Sequence, residues 1–256
     1  AIITDSNVRP LYAASLEDEL RREGIPANTF SVGAGEQHKT IDSCMKMMGE
    51  MSRRKYGRDS AILALGGGVV GDIAGFMAAI FNRGVPYIQI PTTVLAQADS
   101  SIGGKTAVDT DYGKNLVGAF KQPIRVYVDV ATLRTLPNRE YRSGLAETVK
   151  HGIIRDEAFF RYLQENSGLV IEQSEDSSLY IAKNNCRIKG GVVEIDPDER
   201  GLRKILNYGH TTGHAIEKLS VDSFESGKST DYLLHGEAVA IGMMVAGRIA
   251  IALCYF

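Results

Sequence analysis

The first half of this chain alternates short β-rich runs with stretches of helical periodicity, and the alternation stops at about Thr135. Ala1–Thr4, Thr29–Val32, Ala61–Leu65, Tyr87–Ile90 and Arg125–Val128 read as strands, and Leu11–Glu23 and Ile41–Lys55 between them carry apolar residues at helical spacing. Strands so continuously apolar need cover on both faces, which predicts a parallel α/β sheet between helices. From Asn138 onward the text is amphipathic, as in RSGLAETVKHGII, DEAFFRYLQEN and RKILNYGHTTGHAIEKL, and predicts an all-α second domain. The expected division is an α/β domain over 1–135 and a helical domain over 136–256. Segment 221–231 (VDSFESGKSTD) reads as a surface loop.

At 256 residues the chain can bury a sizeable core. Its net charge of −2 gives no basic field that would favour nucleic acid, so basic residues that matter must be placed locally. Cys44, Cys186 and Cys254 form no C-x-x-C, which argues against a disulfide framework or a cysteine zinc site and fits a reducing cytoplasm. No apolar run reads as long enough to span a bilayer; the most apolar stretch, Ala238–Phe256, is interrupted by Arg248 and reads as a buried helix. The chain opens on AIITD without Met, like a strand already under way, and closes on ALCYF with no helix stop signal, so both ends are expected to be cut.

Three of the five histidines, His210, His214 and His235, fall close together, and Glu237 follows the last. In a helix, residues four apart share a face, so His210 and His214 point the same way. Imidazoles gathered with carboxylates are what a borderline-soft divalent metal selects. Arg203, Asn207, His210 and His214 follow at spacings of four, three and four, which on one helix puts guanidinium, amide and two imidazoles on one face. Such a face is expensive to bury without a ligand. Glu147 and Lys150, three apart, read locally as a surface ion pair, and His151 as a partly buried, satisfied histidine.

In the first half, strand Ala61–Leu65 runs into Gly66-Gly67-Gly68 and then a helix-like segment. Glycines there let a backbone approach a pyrophosphate, but the spacing is not G-x-G-x-x-G, and a tight strand-to-helix turn is an equal reading. Asp72 reads as a helix-start cap. Thr92 and Thr93 directly follow a strand. Asp99, Ser100, Ser101, Gly103, Gly104, Lys105, Lys114 and Asn115 then form a polar, Gly-rich stretch that reads as a functional loop suited to a phosphate. The alternative is a solvated loop with incidental lysines.

Taken together, GGGVVGDIAGF, Arg83-Gly84, QIPTTVLAQADSSIGGKTAVDTDYGKNLVGAFKQP, TLPNREYRSGLAETVKHGII, LNYGHTTGHAIE and LLHGEAVAIGM resemble the 3-dehydroquinate synthase family, nearly end to end. The wider superfamily contains iron-dependent alcohol dehydrogenases and glycerol dehydrogenases, which lack the DSSIGGKT…GKN block. The resemblance implies a Rossmann-like NAD domain, a helical metal domain, and a zinc ion (Co²⁺ as the alternative) held by Glu147, His210 and His235. His214 then belongs to the substrate side. For NAD it implies Asp5, Asn7, Glu36, Lys39, Gly67, Gly68, Asp72, Thr92, Thr93 and Lys114. Lys105, Asn115 and Asn207 map to the substrate phosphate, with Arg83 reaching in from a neighbouring subunit. Arg203 and Lys189 map to the substrate carboxylate and its surroundings, and Asp99, Lys150 and Glu199 to the network around the reacting hydroxyls. One further phosphate-binding lysine would lie past residue 256.

The implied activity is that of a carbon–oxygen lyase of the shikimate pathway, converting 3-deoxy-D-arabino-heptulosonate 7-phosphate to 3-dehydroquinate and phosphate. NAD is reduced and reoxidised within each turnover. The resemblance also implies a cytoplasmic homodimer with a sugar-phosphate substrate and neither nucleic acid nor membrane as partner. Rival readings are a sister cyclase of the 2-deoxy-scyllo-inosose or epi-valiolone type, an NAD-dependent polyol dehydrogenase that releases NADH, and a nucleotide-binding regulatory module that has lost catalysis.

Overall fold

The computed structural model describes residues Ala1–Tyr255. They divide into two compact units, Ala1–Thr132 and the residues from Leu133 onward.

The first unit runs β1 (Ile2–Asp5), a π turn (Arg9–Ala13) leading into α1 (Ala14–Arg22), β2 (Thr29–Val32), α2 (Ile41–Arg53), β3 (Ile62–Gly66), α3 (Gly68–Ile80), β4 (Tyr87–Pro91), β5 (Lys105–Thr110), β6 (Gly113–Phe120) and β7 (Arg125–Val126). Five strands form one parallel sheet in the order β2-β1-β3-β4-β7. Alternate residues serve its two faces. Ile3, Ile62 and Ala64 pack with Met47 and Met51 of α2 and with Val70, Ile73 and Met77 of α3. Ile2 and Leu65 pack with Ala13, Leu16 and Leu20 on the other face. Each such buried aliphatic side chain contributes roughly 1.5–3 kcal/mol of transfer free energy, so a sheet apolar on both faces is stable only with both covered. The expected α/β architecture is what forms.

Because β2 and β3 lie on opposite sides of β1, the strand order reverses there. At such a switch point the loops leaving the carboxyl ends of neighbouring strands diverge and leave a crevice. Asp5 ends β1, and Gly66 ends β3.

The polar, Gly-rich stretch expected as a loop is instead an antiparallel hairpin, β5 with β6, from Lys105↔Phe120 to Thr110↔Gly113. Thr106 and Val108 are buried, a period of two that the glycines and lysines around them obscure. Gly118 permits the close pairing, since a Cβ there would collide with the carbonyl oxygen of Thr106.

The second unit is helical: α4 (Asn138–Arg155), α5 (Glu157–Glu165), α6 (Ser167–Ile171), α7 (Glu175–Ile195), a 3-10 segment (Leu202–Asn207), α8 (His210–Glu225) and α9 (His235–Ala252). Helix α4 is central. Its Leu145 and Val149 pack with Phe159, Leu163, Ile181 and Ile188, while Ala146 meets Val239 and Met243 of α9.

Three expectations need correction here. Arg203 and Asn207 do not share a helix with His210 and His214, because Gly209, at φ +82°, breaks the chain before α8 starts. Of segment 221–231, residues through Glu225 are the last turn of α8. Helix α9 is buried along one face only (Gly236, Ala238, Val239, Gly242 and Met243), and Ile241, Met244, Ile249 and Ile251 are exposed. With 18 residues at hydropathy 1.2, it is by length and composition long enough to cross a membrane. The helix expected to run to Phe256 ends at Ala252, and Phe256 itself lies outside the described residues.

Helices α4, α8 and α9 meet through glycine. A Cβ at Gly236 would collide with the carbonyl oxygen of Ser143, and one at Gly242 with that of Gly209. Gly190 of α7 has open space around it. Gly242→Ala is therefore expected to cost about 1–3 kcal/mol or more, whereas Gly190→Ala should stabilise by roughly 0.4–1 kcal/mol. Urea unfolding of the two variants checks the contrast.

Candidate metal centre and nucleotide-binding residues

Glu147 and Lys150 lie on α4 at 0% and 1% exposure, which overturns their reading as a surface pair. Burying a carboxylate is costly unless it is paired, and here Lys150 is its ion-pair partner. One turn further, His151 is fully buried rather than partly so, and its Nδ1 bonds Asn185 Oδ1 at 2.9 Å. The Asn185 amide in turn donates to Thr148 Oγ1 at 2.9 Å.

Two imidazoles reach the same carboxylate. His210 Nε2 is 3.5 Å and His235 Nε2 3.7 Å from Glu147 Oε1. His210 is the first residue of α8, and its Nδ1 faces the Tyr208 carbonyl at 3.4 Å. His235 is the first residue of α9, with Nδ1 3.0 Å from Glu217 Oε2. Both Nδ1 atoms thus face acceptors and act as donors, which leaves each Nε2 lone pair directed toward a carboxylate oxygen. Lone pairs converging in this way repel unless a cation lies among them. With metal–nitrogen and metal–oxygen bonds near those of zinc, the edge of a tetrahedral ligand set is about 3.4 Å, close to the separations found. The donor set fits a divalent metal.

The titration behaviour has the same origin. Burial works against a proton on His235, but hydrogen bonds and charge from Glu147 and Glu217 outweigh it and raise the imidazole to about 9, so a proton on Nε2 competes with a metal ion for that lone pair. Burial and the Lys150 charge lower His210, which favours its neutral, ligating form.

His214, one turn along α8, is exposed, with its ring 5.1 Å from that of His210 and 5.7 Å from that of His235. Its ring nitrogens could join the other two imidazoles around an ion, and it is His210 and His235 whose Nε2 atoms approach the buried Glu147 carboxylate. Glu237 is turned elsewhere: its Oε2 accepts from Leu234 N at 2.8 Å, and Arg139 grips its carboxylate and that of Asp231. It caps α9 and thereby fixes where His235 begins.

Elsewhere in this unit Lys189 is buried on α7. Arg203 is also buried, donating from Nη1 to the Pro197 carbonyl at 2.6 Å and from its backbone to Asp196. Glu199, in the left-handed region at φ +59°, accepts from the exposed Asn207 at 3.2 Å.

In the first unit Asp5 Oδ1 accepts from the backbone of Asn7 and Val8, shaping the loop that leaves β1. Gly67 precedes α3, which has no side-chain cap and no acidic residue in its first turn, features compatible with an anion at a helix N-terminus. Thr92 and Thr93 follow β4. Asp72 is not the expected cap. It sits in the second turn of α3 and faces Lys39, whose buried ammonium lies 2.6 Å from Glu36, 3.4 Å from Asp72 and 3.6 Å from Asp109. Asn115 Oδ1 accepts from Lys39 at 2.8 Å, so this residue, carried over for the substrate phosphate, stands among those carried over for NAD. Lys105 and Lys114 are exposed on the hairpin, Asp99 lies in a π turn (Ala96–Ser100), and Arg83 is exposed at φ +68°.

Two residues had no advance signal singled out, although one was legible. Glu217 lies seven after His210, on the same face of α8. Asp109 ties the hairpin to the Lys39 segment, through its own backbone N to the Lys39 carbonyl at 2.7 Å and through Oδ1 to Asn115 N at 2.8 Å.

Comparison with known proteins decides the family. Residues 29–143 match the 3-dehydroquinate synthase N-terminal domain and 144–256 the C-terminal domain. The chain belongs to the 3-dehydroquinate synthase family. Members of this family are NAD- and divalent-metal-dependent carbon–oxygen lyases of the shikimate pathway. The chain is 48% identical to the 3-dehydroquinate synthase of Desulforamulus reducens over 98% of its length and 67% of that protein. It is 49% identical to that of Symbiobacterium thermophilum over 97% and 67%. It thus spans about two thirds of these relatives.

Among solved structures, a 2-deoxy-scyllo-inosose synthase complexed with carbaglucose-6-phosphate, NAD⁺ and Co²⁺ superposes with a TM-score of 0.88, at 30% identity over 98% of this chain and 66% of that one. The 2-epi-5-epi-valiolone synthase of Streptomyces hygroscopicus, with NAD⁺ and Zn²⁺ bound, gives 0.84 at 29% identity over 94% and 66%. Glycerol dehydrogenase from Schizosaccharomyces pombe, 18% identical at 0.67 over 97% of this chain and 64% of that one, shares the fold.

Burial, and after it the charges of Glu36 and Asp109, raise the Asp72 carboxyl from 3.8 to about 7 despite the opposing ammonium of Lys39. A group bound to its proton more tightly when folded stabilises at low pH and loses that contribution as pH rises through its folded value. Wild-type stability relative to Asp72→Asn should therefore fall between pH 4 and 7, by at most about 1.4 kcal/mol per pH unit, and level off above. A flat difference in denaturant unfolding across that range would show that Asp72 titrates normally.

Proposed function

We propose that the protein converts 3-deoxy-D-arabino-heptulosonate 7-phosphate to 3-dehydroquinate and phosphate, with Glu147, His210 and His235 holding a zinc ion (cobalt as the alternative). The observation that carries this reading is the convergence of both Nε2 atoms on one buried carboxylate oxygen while both Nδ1 atoms are taken up. The functional division assigns NAD binding to 1–135 and the metal and substrate to 136–256. When bound, NAD supplies hydride acceptance and return, and the metal supplies acidity to the hydroxyl being oxidised.

The protein's own part is orientation and charge placement. Gly67 and Gly68 leave room for a pyrophosphate at the start of α3, with Asp5, Asn7, Glu36, Lys39, Asp72, Thr92, Thr93 and Lys114 around the remainder of the nucleotide. Lys150 pairs with Glu147 and offsets the cost of burying that carboxylate. Arg203, its guanidinium already oriented by the Pro197 carbonyl, is suited to a carboxylate. Lys189 is a second buried cation for it. Lys105, Asn115 and Asn207 serve the phosphate. His214, exposed beside the two ligating imidazoles, exchanges protons with substrate, and Asp99 and Glu199 complete the network around the reacting hydroxyls. The reading carries with it a cytoplasmic homodimer in which Arg83 enters the neighbouring site, with no nucleic acid and no membrane as partner.

Identity favours this substrate over those of the sister cyclases, since the dehydroquinate synthases compared are 48–49% identical and the sister enzymes 29–30%. The test supplies the heptulosonate phosphate with NAD and zinc. Phosphate and dehydroquinate should appear in equal amounts without accumulation of NADH, and NADH build-up would instead favour a dehydrogenase. His235→Ala should lose stoichiometric zinc and slow turnover by roughly 10³-fold while NAD affinity holds. Unchanged zinc content would overturn the ligand assignment.

A further inference from the structure

We propose that Glu217 is a positioning residue for His235, fixing the tautomer and plane of its imidazole so that Nε2 is presented to the metal; this rests on the ligand set given above. The backbone around His235 is held from several sides. Leu233 N donates to Ser220 Oγ at 2.7 Å, Leu234 N to Glu237 Oε2 at 2.8 Å, and Gly236 N to Ser143 Oγ at 3.1 Å. Those bonds place the Cα of His235 but leave its ring free to rotate or to flip between tautomers. The contact at 3.0 Å between Nδ1 and Glu217 Oε2 removes that freedom. A carboxylate accepts and cannot donate, so Nδ1 carries the hydrogen and Nε2 the lone pair.

The placement of Glu217 sets it apart on its helix. It lies two turns after His210 and one after His214, so α8 presents a ligating imidazole and a carboxylate along one face. Its side chain is 18% exposed, against 76% for Lys218 and 51% for Asp222 of the same helix, which pair with each other. His210 has only a carbonyl at 3.4 Å for the same task, so the two ligands are oriented unequally and His235 by the charged acceptor. A carboxylate hydrogen-bonded to the distal nitrogen also makes the imidazole a stronger donor to metal.

The test measures zinc affinity by competition with a chromogenic chelator and records histidine ring ¹⁵N–¹H correlations of the zinc-loaded protein. Glu217→Ala should weaken zinc binding by about 10–100-fold and lose the His235 Nδ1–H signal while that of His210 stays. Glu217→Gln keeps an oxygen acceptor without the charge, so it should retain the signal and lose less than about 10-fold in affinity. NAD binding and the unfolding midpoint serve as folding controls for both variants. Wild-type affinity together with an unchanged His235 signal in Glu217→Ala would overturn the proposal. Failure of the wild-type protein itself to bind zinc would instead sink the ligand assignment beneath it.

Discussion

The second unit is organised around one buried negative charge. Glu147 sits on the central helix with no exposure, where an unbalanced carboxylate would be among the most costly groups the protein could hold. Compensation comes from Lys150 on the same helix and from the first residues of α8 and α9 on two others. The requirement explains why α4 carries few apolar residues on its inner face although it is the helix around which the others pack. It also explains why both histidines are first residues of helices, where ring position follows from how the helix is started rather than from how its middle packs.

A second such arrangement governs the first unit with the sign reversed. Lys39 is a buried cation ringed by Glu36, Asp72 and Asp109, drawn from the segment after β2, from α3 and from the hairpin. Burial alone would lower its pKa, and the surrounding carboxylates overcome that and raise it. Three carboxylates around one ammonium leave a surplus of negative charge, and at Asp72 burial together with the charges of Glu36 and Asp109 raises the carboxyl to about 7.

Much of this was legible in the sequence. Continuously apolar runs located the five parallel strands and helical periodicity the second half, because burial on both faces or on one imposes those patterns directly. The hairpin was not legible, since glycine, lysine and aspartate interrupt its text and only Thr106 and Val108 of its strands are buried. Local spacing misread Glu147 and Lys150, because three-residue separation describes a helix surface without saying what packs on it. It likewise joined Arg203 to His214 in one helix across Gly209, whose left-handed conformation ends any such run. Family resemblance supplied Glu147, a residue 63 positions before His210 that no local pattern links to it. Glu217 stood in plain view at a helical repeat from His210, but a carboxylate on a helix has too many ordinary uses to be chosen on spacing alone.

The glycine contacts between α4, α8 and α9 have a mechanical consequence. Where helices meet through side chains, a contact can soften, because a rotamer change absorbs a small shift of one axis against the other. Where Gly236 lies against the Ser143 carbonyl and Gly242 against that of Gly209, peptide meets peptide and no such slack exists. The spacing of the two imidazoles is then set by hard stops between backbones, one of them within a residue of His235. Distances at the centre are thereby decoupled from the thermal rearrangement of the exposed aliphatic residues on the outer face of α9.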